Sequence, residues 1–127
     1  MFRIARRRRD LHLFDKIKKN GLQVSIMTDR LPVNEFCTDE DESCIYESLI
    51  TVKPTLGDEN EEHELYVRYK DRGVAEESHR RLVELFNNLT PDEIIHIVTI
   101  RKATIDSNKL ENLIKKELGG LEAYIRY

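Results

Sequence analysis

The sequence predicts a small two-layer α+β domain: a mainly antiparallel sheet with two main helices on one face, preceded by a basic arm that includes a short helix. Three observations carry this prediction. "LQVSIM" and "HELYVRY" alternate apolar and polar residues with the period of a half-buried strand. "DRGVAEESHRRLVELFN" and "DSNKLENLIKKELGG" repeat apolar residues at helical spacing. The strand-like segments around residues 44–53 and 63–69 are joined by a loop of about ten residues, which suits an antiparallel hairpin. Helices and hairpins in one chain bury their apolar faces as two layers. A length of 127 residues fits a single domain, assigned to residues 21–127, with residues 1–20 as the basic arm and short helix.

Taken in order, "DLHLFDKIKKNG" predicts that short helix, with Asp10 as cap and Leu11, Phe14 and Ile17 at i, i+3, i+6. Gly21 would stop it after basic residues suited to the negative end of the helix dipole. Leu22, Val24 and Ile26 alternate as a strand, and "TDRLPVNEFCTDEDES" is a loop with Pro32 and four consecutive acids. "CIYESLITVK" and "HELYVRY" form the hairpin, the second with Leu65, Val67 and Tyr69 on one side and Tyr66 and Arg68 on the other. Asp71 caps a helix to about Asn87, whose inward face is Ala75, His79, Leu82 and Phe86. Thr90 and Pro91 start a turn of helix, and "IHIVTIRKATI" reads as a strand. The last helix begins at Asp106 or Ser107, carries Leu110, Leu113, Ile114 and Leu118 on one face, and stops at Gly119-Gly120. "LEAYIRY" closes the chain as a strand at a sheet edge, where unpaired backbone groups invite a second chain.

Composition narrows the function classes. Charged residues make up 35% and no apolar run approaches the ~20 residues of a membrane span. The expectation is a cytoplasmic protein without a membrane partner. Cys37 and Cys44 match no common zinc spacing and are too few for a disulfide scaffold. The acidic run at residues 38–42 lacks the alternating ligands and glycine of a calcium loop. No metal and no cofactor are expected.

The net charge of −3 hides a segregation. Residues 1–20 carry Arg3, Arg6, Arg7, Arg8, Arg9, Lys16, Lys18 and Lys19 against two acids; residues 29–64 carry twelve acids against Arg30 and Lys53. Arginine grips phosphate bidentately and stacks on bases, so the eight basic residues are the candidate site for an anionic partner, either nucleic acid or an acidic protein surface. The same segregation would also allow head-to-tail attraction between copies in a homo-oligomer.

Catalytic patterns are thin. No phosphate-cradling glycine loop or nucleophile elbow occurs. His12, His63, His79 and His96 are scattered, with neither i, i+4 pairing nor a cysteine beside them. His79 on the inward helix face is expected to pack at the core's edge with one ring nitrogen on backbone. The competing reading is a small enzyme using His79 or His96 with nearby carboxylates; a non-catalytic protein is the expectation.

Three stretches in order, "VSIMTDRLPVNEF", "DEDESCIYESLIT" and "YVRYKDRGVAEESHRRLVE", resemble a group of small uncharacterised proteins encoded by bacteriophages and prophages. The matching positions are Tyr46-Glu47-Ser48, Arg68, Tyr69, Asp71, Ala75, His79 and Val83, within about residues 22–86. Ser78 stands where the group has Gly, which puts in doubt any role needing close backbone approach there. The resemblance implies a phage-type accessory protein in the host cytoplasm, with a structural place in a phage particle as the alternative. It attaches no activity.

Overall fold

The computed structural model describes residues 11–19, 21–30, 46–55, 62–99, 104–121 and 123–126. Five antiparallel strands form the main sheet: β1 (His12–Lys19), β2 (Leu22–Arg30), β3 (Tyr46–Pro54), β4 (His63–Tyr69) and β7 (Ala123–Arg126), neighbours in that order. Between β4 and β7 the chain forms α1 (Arg72–Asn87), α2 (Pro91–Ile97), a small ladder of β5 (Val98–Thr99) with β6 (Thr104–Ile105), and α3 (Ser107–Glu117). This is the expected α+β domain. The β3–β4 hairpin, α1 with its Asp71 cap, α3 with its Asp106 cap and the closing strand all stand where the sequence places them.

Alternation decides which face is covered. Leu22, Val24, Ile26, Ile50, Val52, Leu65, Val67 and Tyr69 point to the inner face and are buried. Helix α1 lies across β1 to β4 on that side and adds Ala75, Leu82 and Phe86 to the same core. Helix α3 contributes Leu110 and Ile114, and Arg81 of α1 donates to the carbonyls of Glu117 and Gly119 at the C-terminal end of α3. A cation there complements the negative end of the α3 dipole.

Two expectations are corrected. Residues 12–19 are not a helix but β1, an edge strand paired with β2 from His12↔Asp29 to Lys19↔Leu22. Leu11, Leu13, Asp15 and Ile17 share the inner side, so the true period is two; Phe14, which completed the helical spacing, is 55% exposed on the other face. Leu11 and Ile17 are core residues, so the packed layer already includes part of the segment assigned to the arm. Nor is "IHIVTIRKATI" a strand throughout: α2 continues to Ile97, and among the described residues Val98–Thr99 and Thr104–Ile105 are extended. A complete capping box between Thr90 and Glu93, with Pro91 at the first helical position, and the burial of Ile94 and Ile97 one turn apart outweigh the β-branched composition.

The β1–β2 hairpin closes through a two-residue turn, Asn20-Gly21 in sequence, and Gly21 has φ +95°. Asn-Gly is the favoured pair for such turns because both central positions need positive φ. A Cβ at Gly21 would meet nothing nearer than Ile94 Cγ2 at 3.9 Å, so the cost of substitution there is conformational and not steric. Gly21→Ala is therefore expected to destabilise by about 1–2 kcal/mol. An unchanged urea midpoint would mean that the turn relaxes to another conformation.

Candidate functional site

Register arranges the outer face of the sheet in rows. His12, Asp29, Glu47 and Arg68 lie side by side across β1 to β4; the next row is Phe14, Met27, Leu49, Tyr66, and the next Lys16, Ser25, Thr51, Glu64. Lys18, Gln23 and Lys53 make the last. The first row is paired within itself: Arg68 Nε donates to Glu47 at 2.8 Å, and His12 bonds Asp29. Lys16, Lys18 and Lys53 make no ion pair among the described residues. An apolar row ending in exposed Phe14 thus lies beside three ammonium groups that make no ion pair among the described residues.

Between these rows is a shallow cleft of about 180 Å³ lined by Phe14, Lys16, Gln23, Ser25, Thr51, Lys53 and Glu62, two cations against one carboxylate. It differs in charge from a second cleft, of about 210 Å³ by α1 and α2, which Glu84, Glu93 and Glu117 line. Anions are disfavoured at the second and favoured at the first.

Of the eight basic residues singled out in the sequence, Arg3, Arg6, Arg7, Arg8 and Arg9 lie outside the described residues. So do Cys37, Cys44 and the acidic run. Lys16 and Lys18 share the outer face of β1, whereas Lys19 alternates to the opposite side. Phe14 stands out in sequence as an aromatic among the basic residues, but Lys53 and the rest of the apolar row do not; their meeting depends on pairing between segments tens of residues apart.

Behind the inner face lies a chain of polar side chains. Register sets Thr28 beside Ser48, with their hydroxyl oxygens 2.5 Å apart. Tyr69 donates to Ser48 at 2.9 Å, and Ser78 of α1 is 2.5 Å from the Tyr69 oxygen. At the other end Thr28 lies 2.7 Å from His79 Nδ1, and His79 Nε2 lies 2.7 Å from Asp15. A carboxylate only accepts, so Nε2 carries a proton, and in the neutral ring Nδ1 then accepts. Thr28 must then donate to His79, Ser48 to Thr28, Tyr69 to Ser48, and Ser78 to Tyr69. Every group uses its one proton in the same direction. Burial holds the Tyr69 phenol up at about 12.

This corrects the expectation for His79, whose ring nitrogens both bond side chains and not backbone; its partner Asp15 is 64 positions away. The order Asp15–His79–Thr28 has the connectivity of a catalytic triad. Thr28, however, is fully buried, so no substrate can reach its hydroxyl. His96 sits exposed on α2. Among the described residues no three His, Cys, Asp or Glu side chains gather as a metal site, and no helix is long and apolar enough to cross a membrane. Glu77 is held down at about 2, chiefly by hydrogen bonds from Arg80, but this is a solvated helix-surface pair.

Compared with protein-family models, curated proteins and solved structures, the chain matches none. Its function has to be read from the geometry.

Proposed function

We propose that this chain is a non-catalytic, phage-type accessory protein that binds nucleic acid with the outer face of its sheet, assisted by the arginines of residues 1–10. The observation that supports this reading is the row Phe14–Met27–Leu49–Tyr66 bordered by Lys16, Lys18 and Lys53, on the face the helices leave uncovered. Ammonium groups attract phosphates, and apolar and aromatic surface favours bases. An acidic protein would use the lysines but leave the exposed Phe14 without a role. The burial of Thr28 supports the non-catalytic part, because the triad-like connectivity ends in an inaccessible hydroxyl.

The test is the salt dependence of binding, measured by anisotropy of a labelled oligonucleotide. Four phosphate contacts from Arg6, Arg7, Arg8 and Arg9 contribute about −3 to −4 to the log–log slope, since each releases roughly 0.7–0.9 counterion. Deleting residues 1–9 should remove that share and leave the domain folded, because the described core, from Leu11 onward, is retained. An arm-deleted chain with an unchanged slope would refute the arm's part. Absence of any nucleic-acid binding by the full chain would refute the reading, and binding to an acidic polypeptide instead would replace it.

A further inference from the structure

We infer that the cleft beside Phe14 is a subsite for one unstacked base of a single-stranded nucleic acid, with Lys16 and Lys53 taking the flanking phosphates. The inference rests on the nucleic-acid reading above and narrows it to single strands. Three features carry it.

The first is shape. Reading a duplex through its major groove takes a projecting helix or two-stranded ribbon. The outer face here is a sheet surface with a shallow depression. Such a face meets bases only if they are splayed out of a helix, where aromatic side chains can stack on them.

Chemistry is the second. Phe14, at 55% exposure, offers a ring to a base. Gln23, Ser25 and Thr51 stand in the next rows of the same cleft, supplying an amide and two hydroxyls that both donate and accept. Such groups fit the mixed polar edge of a base without demanding one identity. Lys16 and Lys53 flank them with no ion pair among the described residues.

Size is the third. At about 180 Å³ the cleft is smaller than the roughly 300–1,000 Å³ of a site built for a free small molecule. It suits one unit of a polymer, whose affinity accumulates over successive contacts. The other rows supply these: Lys18 lies beyond the cleft on one side, and Met27, Leu49 and Tyr66 extend across the sheet from Phe14. A second copy of the chain docked face to face is the competing occupant. A two-fold contact there would bring Lys16, Lys18 and Lys53, which make no ion pair among the described residues, towards their own copies, which disfavours it.

The experiment compares a labelled oligothymidylate with a duplex of equal length, using the full chain and anisotropy. The single strand should bind more tightly. Phe14→Ala should weaken single-strand binding by about tenfold or more, because stacking on an aromatic is worth that much per base, and the salt slope should stay the same. Phe14→Tyr should retain the affinity. Lys16→Gln with Lys53→Gln should instead reduce the slope by about 1.4, at roughly 0.7 per phosphate on a single strand. All positions are at the surface, so an unchanged unfolding midpoint shows that the variants fold. Equal binding of single strand and duplex, with no effect of Phe14→Ala, would overturn the base subsite and leave the nucleic-acid reading standing. If the full chain binds neither oligonucleotide, that underlying reading fails. If Phe14→Ala dissociates a dimer seen by light scattering and leaves binding unchanged, the face is a self-contact and the subsite is overturned.

Discussion

Thr28→Val should destabilise the protein by about 2–5 kcal/mol, although it preserves the side chain's shape and suits a strand. Thr28 is the middle link of the buried chain, receiving from Ser48 and donating to His79 Nδ1. Valine leaves the Ser48 proton without an acceptor and Nδ1 without a donor. An unsatisfied buried polar group costs about 1–3 kcal/mol, and here there are two. Moving the His79 proton to Nδ1 would take it away from the Asp15 carboxylate, so one of the two bonds is lost either way. Against a typical domain stability of about 5–15 kcal/mol, this is a large fraction. Thr28→Ser keeps the hydroxyl and loses one methyl, so it should cost only about 1 kcal/mol. Urea unfolding with an unchanged m value separates the two variants. Equal midpoints would show that the hydroxyl chain contributes nothing to stability.

The second large effect is alkaline. Tyr69 is 1% exposed, and burial raises its phenol from 10.0 to about 12, against the opposing hydrogen bonds with Ser48 and Ser78. Below pH about 10 the phenol is neutral in both folded and unfolded chains, and its contribution is fully present. From about 10 to 12 the unfolded chain ionises while the folded chain holds its proton, so stability falls. A two-unit difference corresponds to about 2–3 kcal/mol. Denaturant midpoints measured across that window should drop for the natural sequence. For Tyr69→Phe they should drop less, from a lower starting value. Parallel pH profiles for the two proteins would mean that Tyr69 ionises as readily folded as unfolded.

Local signals made much of this architecture readable. In α1, a capping aspartate and the inward residues Ala75, His79, Leu82 and Phe86 at i, i+4, i+7 and i+11 lie within one segment, so a single helix states its own pattern. Strand β1 hides its pattern for a physical reason. Asp15 occupies an inward position, interrupting the series Leu11, Leu13, Ile17, while outward Phe14 imitates a helical repeat. Asn20-Gly21 between two possible strands was the overlooked clue. The candidate site was half readable: Lys16 and Lys18 stand out as charges in sequence. Their association with Phe14, Gln23 and Lys53 arises only from register, and the Asp15–His79 bond joins residues that no short-range pattern connects.

That aspartate also bears on how the sheet avoids its own kind. Strand β1 is an edge, with one side of its backbone unpaired among the described strands. Exposed edges recruit further strands unless something blocks them, and a charge pointing into the layer is one such block. Asp15 is held there by His79, and a slip of β1 by one residue would lose that bond and drive Phe14 and Lys16 inward. Two β1 edges paired antiparallel about Ile17 would also set Lys16 of each copy opposite Lys18 of the other. The Asp15–His79 bond thus sets a charged, hydrogen-bonded side chain at the β1 border, where it disfavours addition of a further strand.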